Sequence, residues 1–466
     1  MEKYKIKFYE EKPKYIQVYE HIKDLIESNL VDDGEKLPSI RGYSKILGVN
    51  TITIVNSYKA LANEGYTYQK EGSGTFAKKK DRIKYFKKEY NQIFKRLAGG
   101  QLGSITDFTS ESSIGTYFPV VAFKDILNEV IDRDGSAAFI NQEPLGFQGL
   151  RNCIKDFLWK GTLDVDNILI VSGAQQGIDI IAKALIAIND GVLIEKPTYS
   201  GALNVFTARR ANIFEVDMEA DGANIIQLEK LLKKSKIKCF YIMSYFQNPT
   251  GSSYSNEKKK AILDLAEKYD FYIIEDDYLS ELIYDDNIKY ESFKNLDTNE
   301  RVIYIKSFSK IFLPGIRLGY LITPEIFRDQ IQSAKVNSDI STSGLMQRAL
   351  ELYIVKGLWK DYIDKIKIIY KIKYENTLRN IYTILGDKVR VNPPGGGLSF
   401  YLNLKENVNI DSIELFYRCR EKNIYITPGV LFYKFSNEGR KYFRLGFSQP
   451  NEDRITEGIK TISTFL

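Results

Sequence analysis

The chemistry this chain could perform centres on a lysine set among hydroxyl groups. Ser307-Phe308-Ser309-Lys310 is followed by Gly315-Ile316-Arg317-Leu318-Gly319-Tyr320. A primary amine attacks carbonyl carbon and holds it as a Schiff base, while nearby hydroxyls and a guanidinium suit a phosphate. Upstream, Ile273-Ile274-Glu275-Asp276-Asp277-Tyr278 has the alternation of a strand end, which turns Asp276 and Tyr278 to one side. Asn248-Pro249-Thr250-Gly251 is a turn headed by a carboxamide, and Glu195-Lys196-Pro197-Thr198-Tyr199 ends on an aromatic ring. Ser172-Gly173-Ala174-Gln175-Gln176-Gly177 closes a strand-like run and opens a helix, where backbone N–H groups around Ala174 and Gln175 can hold an anion.

Together these pieces supply what pyridoxal 5′-phosphate (PLP) requires of a protein. Lys310 forms the Schiff base (an internal aldimine), and Asp276 keeps the pyridine nitrogen protonated. Tyr278 and Asn248 reach the ring oxygen, Tyr199 stacks on the ring, and Ser307, Ser309 and Arg317 join the Ala174-Gln175 turn around the phosphate. Singly, each has a plainer reading: a strand–helix connection, a solvated lysine, an acid that caps a helix. Their conjunction in order selects the cofactor. The one histidine, His21, sits in a helical pattern, and Cys153, Cys239 and Cys419 are scattered. Ser-His-Asp catalysis and a metal site are therefore not expected.

A second polar set lies near the N-terminus. Asn50, Thr51, Thr53 and Asn56 begin one helical pattern, and Ser39 and Arg41 begin the one before it. In a helix-turn-helix the second helix of the pair enters the major groove and reads base edges with its first residues. Ser39 and Arg41 are then placed for the phosphate backbone, and the Gly72-Ser73-Gly74 tip for the minor groove. Three helices and a hairpin also serve as protein–protein modules, so pattern alone leaves both partners open.

The elements that must position these residues follow from periodicity. Residues 15–29 carry Ile16, Tyr19, Ile22, Leu25 and Ile26 at helical spacing. A turn at Asp32-Asp33-Gly34 leads to a helix from Ser39 to Leu47, stopped by Gly48. Asn50 caps a third, from Thr51 to about Glu64, with Ile54, Ser57, Tyr58 and Leu61 inward. Tyr66–Gln69 and Gly74–Ala77 then read as a hairpin, which completes a winged helix-turn-helix over residues 1–78. Residues 79–105 are the linker: Ile83, Phe86, Tyr90, Ile93, Phe94 and Leu97 mark an amphipathic helix, and Gly99-Gly100-Gln101-Leu102-Gly103-Ser104 a hinge. Residues 106–466 alternate strands (Ile168-Val171, Gly191-Glu195, Phe240-Met243, Tyr272-Glu275, Val302-Ile305) with helices, the pattern of an α/β domain with a largely parallel sheet.

Composition sets outer bounds. The chain has 466 residues, 44% hydrophobic and 13% aromatic, enough for a globular core. Residues 1–105 hold 20 Lys and Arg against 13 Asp and Glu; of the totals of 66 and 60, 46 and 47 remain for the rest. The excess positive charge is thus all in the first quarter, as suits a head that meets a polyanion. The charged start and the lack of a long apolar run predict a cytoplasmic protein with no signal segment and no membrane partner.

Resemblance sharpens both halves. Leu37-Pro38-Ser39, Arg41, Gly48-Val49, Leu61, Glu64-Gly65 and Gly72-x-Gly74-Thr75-Phe76 look like the DNA-binding domain of the GntR family, over roughly residues 12–77. Family members often carry Ser-Arg or Thr-Arg where this chain has Asn50-Thr51, which predicts weaker guanine readout and an A/T-rich site. The five PLP motifs, with Pro144-Leu145-Gly146, Leu150-Arg151 and Phe443-Arg444-Leu445-Gly446-Phe447-Ser448, resemble fold-type I aminotransferases over residues 106–466. That resemblance implies that Arg444 binds the α-carboxylate of an amino acid. Head and body together resemble the MocR subfamily of GntR regulators. This implies a PLP-dependent transcription regulator, a homodimer on double-stranded operator DNA, with an amine, an amino acid or PLP itself as effector. Many MocR proteins read Ser-His-Gln-aromatic-Pro where this chain has Ser244-Tyr245-Phe246-Gln247-Asn248-Pro249, the form of working aminotransferases. A PLP-dependent aminotransferase with a vestigial or tethering head therefore stands as the alternative.

Overall fold

Helices form in the N-terminal region where apolar spacing places them. The computed structural model describes residues 2–27, 30–78, 82–99, 104–113, 115–140, 144–312, 314–339 and 342–466. It falls into two compact units, Met1–Gln101 and Leu102–Leu466. In the first, α1 (Lys14–Glu27), α2 (Ile40–Leu47) and α3 (Thr51–Asn63) precede a hairpin of β1 (Thr67–Lys70) and β2 (Gly74–Ala77). Ser28 and Asn29 of the expected first helix, and Gly100 to Gly103 of the expected hinge, lie outside the described residues.

Each helix start has a local cause. Ser39 Oγ accepts from Gly42 N at 3.1 Å to cap α2, which ends at Gly48 in the left-handed region, φ 63°. Asn50 caps α3 by accepting from Ile52 N at 2.9 Å. Such a cap contributes about 1 kcal/mol. The α3 residues Ile54, Ser57, Tyr58 and Leu61 are buried with Val18, Ile22 and Ile26 of α1 and Tyr43 of α2. Ser57 is tolerated there because its hydroxyl lies 2.8 Å from both the Thr53 and Tyr15 carbonyls. The hairpin gains an edge from the turn before α2, with Leu37 N donating to Thr75 O and Ala77 N to Glu35 O. α4 (Arg82–Ala98) buries Ile83, Phe86 and Tyr90, but Phe94 of the same apolar pattern stays 47% exposed, stacked on Tyr90.

In the second unit, β3 (Thr106–Asp107), α5 (Val120–Asp134) and α6 (Gln148–Cys153) lead into an eight-stranded sheet. Its strands are β4 (Ile168–Val171), β5 (Gly191–Lys196), β6 (Asn212–Glu219), β7 (Gly222–Ala223), β8 (Cys239–Ile242), β9 (Tyr272–Asp277), β10 (Val302–Ser307) and β11 (Gly319–Ile322). They lie in the order β4-β11-β10-β9-β8-β5-β6-β7. The run β10-β9-β8-β5-β6 is parallel; β11 opposes both its neighbours and β7 opposes β6. β4, β8, β10 and β11 are buried along their whole length, as strands covered on both faces must be. α7 (Ala174–Leu185) starts directly after β4.

A smaller antiparallel sheet follows, formed by β12 (Val389–Val391), β13 (Ser399–Leu404), β15 (Thr427–Pro428) and β16 (Tyr442–Gly446) in the order β12-β13-β16-β15. β3 pairs in parallel with β14 (Ile424–Tyr425), and Gly446 N donates to Phe108 O at 2.8 Å. Ser448 Oγ and Gln449 Nε2 reach the carbonyls of Ser110 and Ser112 at 3.1 and 2.9 Å. The chain from Thr106 to Ser112 is thereby stitched to this sheet. No described helix is long and apolar enough to cross a membrane.

Candidate functional site

In a mainly parallel sheet, ligands collect outside the carboxyl ends of the strands. Here Gly173, Tyr199, Asn248, Asp276 and Lys310 stand at or just past the ends of β4, β5, β8, β9 and β10. Asp276 is 2% exposed, and its Oδ2 accepts from Tyr241 OH at 2.6 Å. Its Oδ1 is buried with no hydrogen-bond partner. Burial pushes this carboxyl up to about 6. An unpaired buried acceptor costs about 1–3 kcal/mol, and a pyridinium N–H is the donor that Oδ1 lacks. Tyr278 lies on the same side of the strand end; its hydroxyl donates to Phe246 O at 2.8 Å and keeps its lone pairs for a further donor.

Lys310 stands just past the end of β10, closely surrounded by protein. It retains accessible area there but loses most of its solvation, so burial lowers its ammonium pKa, opposed by Glu111 and Asp276 and reinforced by Arg444. A depressed pKa leaves more neutral amine, the form that attacks carbonyl carbon. Beyond Lys310, Gly173 precedes α7 with φ 101°. A Cβ at Gly173 would sit 3.5 Å from Ser309 Oγ and 3.7 Å from Arg317 Nη2, so hydroxyl and guanidinium converge on the start of α7. Ser309 Oγ is buried without a partner, while Ser307 Oγ accepts from Ser309 N at 3.3 Å. A helix N-terminus, a free hydroxyl and an arginine fit a phosphate. Gln175 is tied to Tyr199, accepting from its hydroxyl at 3.1 Å.

Asn248 and Arg444 belong to a tighter cluster than their motifs indicate. Arg444 Nη1 donates to Asn248 Oδ1 at 2.7 Å and to Glu111 Oε2, and Nη2 donates to Thr109 O at 2.8 Å. Asn248 Nδ2 donates to Glu111 Oε2 at 2.9 Å, and Ser399 Oγ to Glu111 Oε1. Glu111 is 3% exposed and lies 333 residues before Arg444, so no local pattern marked it. Tyr241 was missed for the same reason.

Two supporting networks hold the strand ends. Glu195 accepts from Tyr254 OH (2.8 Å), Met243 N (3.2 Å) and Gln247 Nε2 (3.0 Å), and Gln247 Nε2 also reaches Pro197 O. Asp277, on the opposite side of β9 from Asp276, pairs with Lys306 at 3.0 Å and accepts from Tyr304 OH.

In the N-terminal unit, Ser39, Arg41, Asn50, Thr51, Asn56 and Gly74 are exposed and Thr53 is half-buried. Ser39 and Asn50 also serve as helix caps, so their side-chain oxygens are already engaged. Ile52, on the first turn of α3, is 64% exposed, an apolar residue that sequence reasoning passed over. Its signal was available: Ile52 falls outside the buried set Ile54, Ser57, Tyr58 and Leu61. Gly74 has φ 115°, which a side chain would strain.

Comparison with known proteins matches both units. The model of aminotransferase class I and II matches residues 117–462, and that of the gntR family of bacterial regulatory proteins matches residues 14–77. The uncharacterized HTH-type transcriptional regulator YcxD of Bacillus subtilis is 31% identical over 461 residues, covering 97% of this chain and 100% of that protein. The HTH-type transcriptional regulator NorG of Staphylococcus aureus is 26% identical, covering 92% and 99%. Among solved structures, a kynurenine aminotransferase of Pyrococcus horikoshii in complex with PMP superposes with a TM-score of 0.75 at 28% identity, covering 83% of this chain and 98% of its own.

Proposed function

The chain belongs to the aminotransferase class I and II family and carries a GntR-family head, the MocR combination, and on that premise we propose that it is a PLP-dependent transcription regulator. The observation that carries the cofactor reading is Asp276 Oδ1, a buried acceptor without a donor in the site where a pyridinium N–H belongs. Regulation rather than turnover is supported by relatives matched along nearly the full chain, which are named HTH-type transcriptional regulators.

When bound, PLP supplies an electrophilic carbon and a ring that withdraws electrons. Lys310 holds that carbon, Asp276 keeps the ring nitrogen protonated, and Tyr278 and Asn248 face the ring oxygen. Tyr199 covers one face. Ala174, Gln175, Ser307, Ser309 and Arg317 hold the phosphate. In the head, Thr51, Thr53 and Asn56 read base edges, Ser39, Arg41 and Asn50 set the helices on the backbone, and Gly74 shapes the wing tip. Ile52 adds an apolar contact that suits a thymine methyl, in line with an A/T-rich site. Residues 79–105 join head to body in a cytoplasmic homodimer. For an effector to regulate, it must bind one arrangement of the heads better than another.

The test pairs two readouts on one preparation. Purified protein incubated with PLP should show a visible absorbance band that Lys310→Ala lacks. The same protein should bind DNA taken from beside its own gene, with an affinity that changes when PLP is removed. A band without DNA binding would favour a tethered aminotransferase; DNA binding without a band would remove the cofactor.

A further inference from the structure

Arg444 is the group expected to receive a ligand carboxylate, yet its guanidinium is already engaged. Both Nη1 protons are spent on Glu111 and Asn248, and Nη2 donates to Thr109 O. The pair is buried, with Glu111 3% and Arg444 7% exposed. Arg444 Nε has no partner, but it is sealed from solvent, and Phe432 lies under the guanidinium at 5.2 Å. The Nη1–Nη2 edge of the fork is therefore filled, which leaves a ligand only the solvent-sealed side that carries Nε.

Glu111 is fixed as firmly as the arginine. Its two oxygens take hydrogen bonds from Ser399 Oγ, Asn248 Nδ2 and Arg444 Nη1. Its segment is held by backbone bonds on both sides, Gly446 N to Phe108 O before it and Ser113 N to Lys310 O after it. A Cβ on Gly446 would come within 2.5 Å of Ser110 O, so the segment packs against β16 without slack. A second carboxylate entering beside Glu111 would meet a like charge in a desolvated space. Expelling Glu111 would strand it, because breaking one partner from a buried ion pair leaves the other uncompensated.

We propose that Glu111 acts as an internal carboxylate that occupies Arg444, so that the site takes primary amines carrying no carboxylate and turns α-amino acids away. This rests on the PLP reading above and narrows its effector from amines and amino acids together to the carboxylate-free class. Glu111 is thereby a specificity residue: it acts on ligand choice through Arg444.

The experiment uses matched pairs that differ only by the carboxylate, phenethylamine against phenylalanine and 1,5-diaminopentane against lysine. With the full chain loaded with PLP, at least one of the two amines should shift the visible band at concentrations about tenfold or more below its amino acid. Glu111→Ala should reverse that preference, and Glu111→Gln, which keeps the shape and drops the charge, should move it the same way. A separate arm needs no cofactor. Without PLP, Glu111→Ala should melt lower than wild type, and formate should restore part of the loss where chloride at equal ionic strength does not. The proposal is overturned if wild type prefers the amino acids, if no carboxylate-free amine moves its band, or if both variants keep the wild-type ratio. Absence of any visible band would sink the PLP reading alone, since the formate arm still reports whether Arg444 requires a carboxylate; equal rescue by chloride would overturn that occupancy.

Discussion

The head and the body solve recognition in opposite ways. In the head the candidate contacts are exposed side chains at the start of α3, and the polar atoms that begin its helices are satisfied locally by Ser39 and Asn50. In the body, Lys310, Gln175 and Arg317 keep exposed surface while Asn248, Asp276, Tyr278, Ser307 and Ser309 are buried, and Asp276 Oδ1 and Ser309 Oγ are left without partners. The candidate contacts of the head face solvent before a ligand arrives, whereas the body holds candidate contacts whose desolvation a ligand offsets. Ligand should therefore stabilise the body much more than the head, and damage to each should be felt in different assays.

The largest expected effect breaks the body alone. Lys310→Ala should abolish the visible absorbance of the PLP-loaded protein while leaving the helix content and melting of the head unchanged, as read by absorbance and circular dichroism. Next, Asp276→Asn should weaken PLP binding about a hundredfold, roughly 3 kcal/mol for a hydrogen bond to a charged group, measured by equilibrium dialysis. A pH series sharpens the same point. Because burial raises the Asp276 carboxyl to about 6, the unliganded fold is favoured by its proton and loses that contribution as pH rises from the ordinary carboxyl range to about 6. The ring N–H needs the ionised form, so PLP affinity should instead fall below about pH 6, by up to about tenfold per pH unit, and Asp276→Asn should lose that slope.

Smaller effects belong to the head. Arg41→Ala should weaken binding to all DNA sequences about equally and reduce the salt slope by about one, read by fluorescence anisotropy, with the PLP spectrum untouched. Least of all, Asn50→Ala should lower head stability by about 1 kcal/mol through the lost α3 cap. A shift in the PLP spectrum on that substitution would show the two units to be coupled more tightly than two separate recognition devices allow.

The same contrast explains what sequence reasoning could reach. The head was legible almost residue by residue, because caps and buried faces repeat within a turn or two: Ser39, Gly48 and Asn50 bound α2 and α3 as expected, and Ile54, Ser57, Tyr58 and Leu61 are the buried set. Five strands of the large sheet, β4, β5, β8, β9 and β10, were legible from apolar runs bounded by turns. β6, with exposed and buried residues intermixed, was not recognised, and neither was β11 or the small sheet that presents Ser399 and Arg444. The motifs located Lys310, Asp276 and Asn248, but not the bonds that tie Asn248 to Arg444 through Glu111. Those contacts join residues from β16, the segment after β3 and the turn after β8, and nothing local encodes which acid will face which base.

β11 runs against β10, with Ser307 paired to Gly319 and Phe308 N bonded to Leu318 O. The chain that leaves the sheet with Ser309 and Lys310 must come straight back with Arg317. Amine and guanidinium are therefore the two jaws of one clip riveted at its hinge. A tug on either is transmitted to the other, and to β4 and β9 on the flanks, before it can open the gap between them.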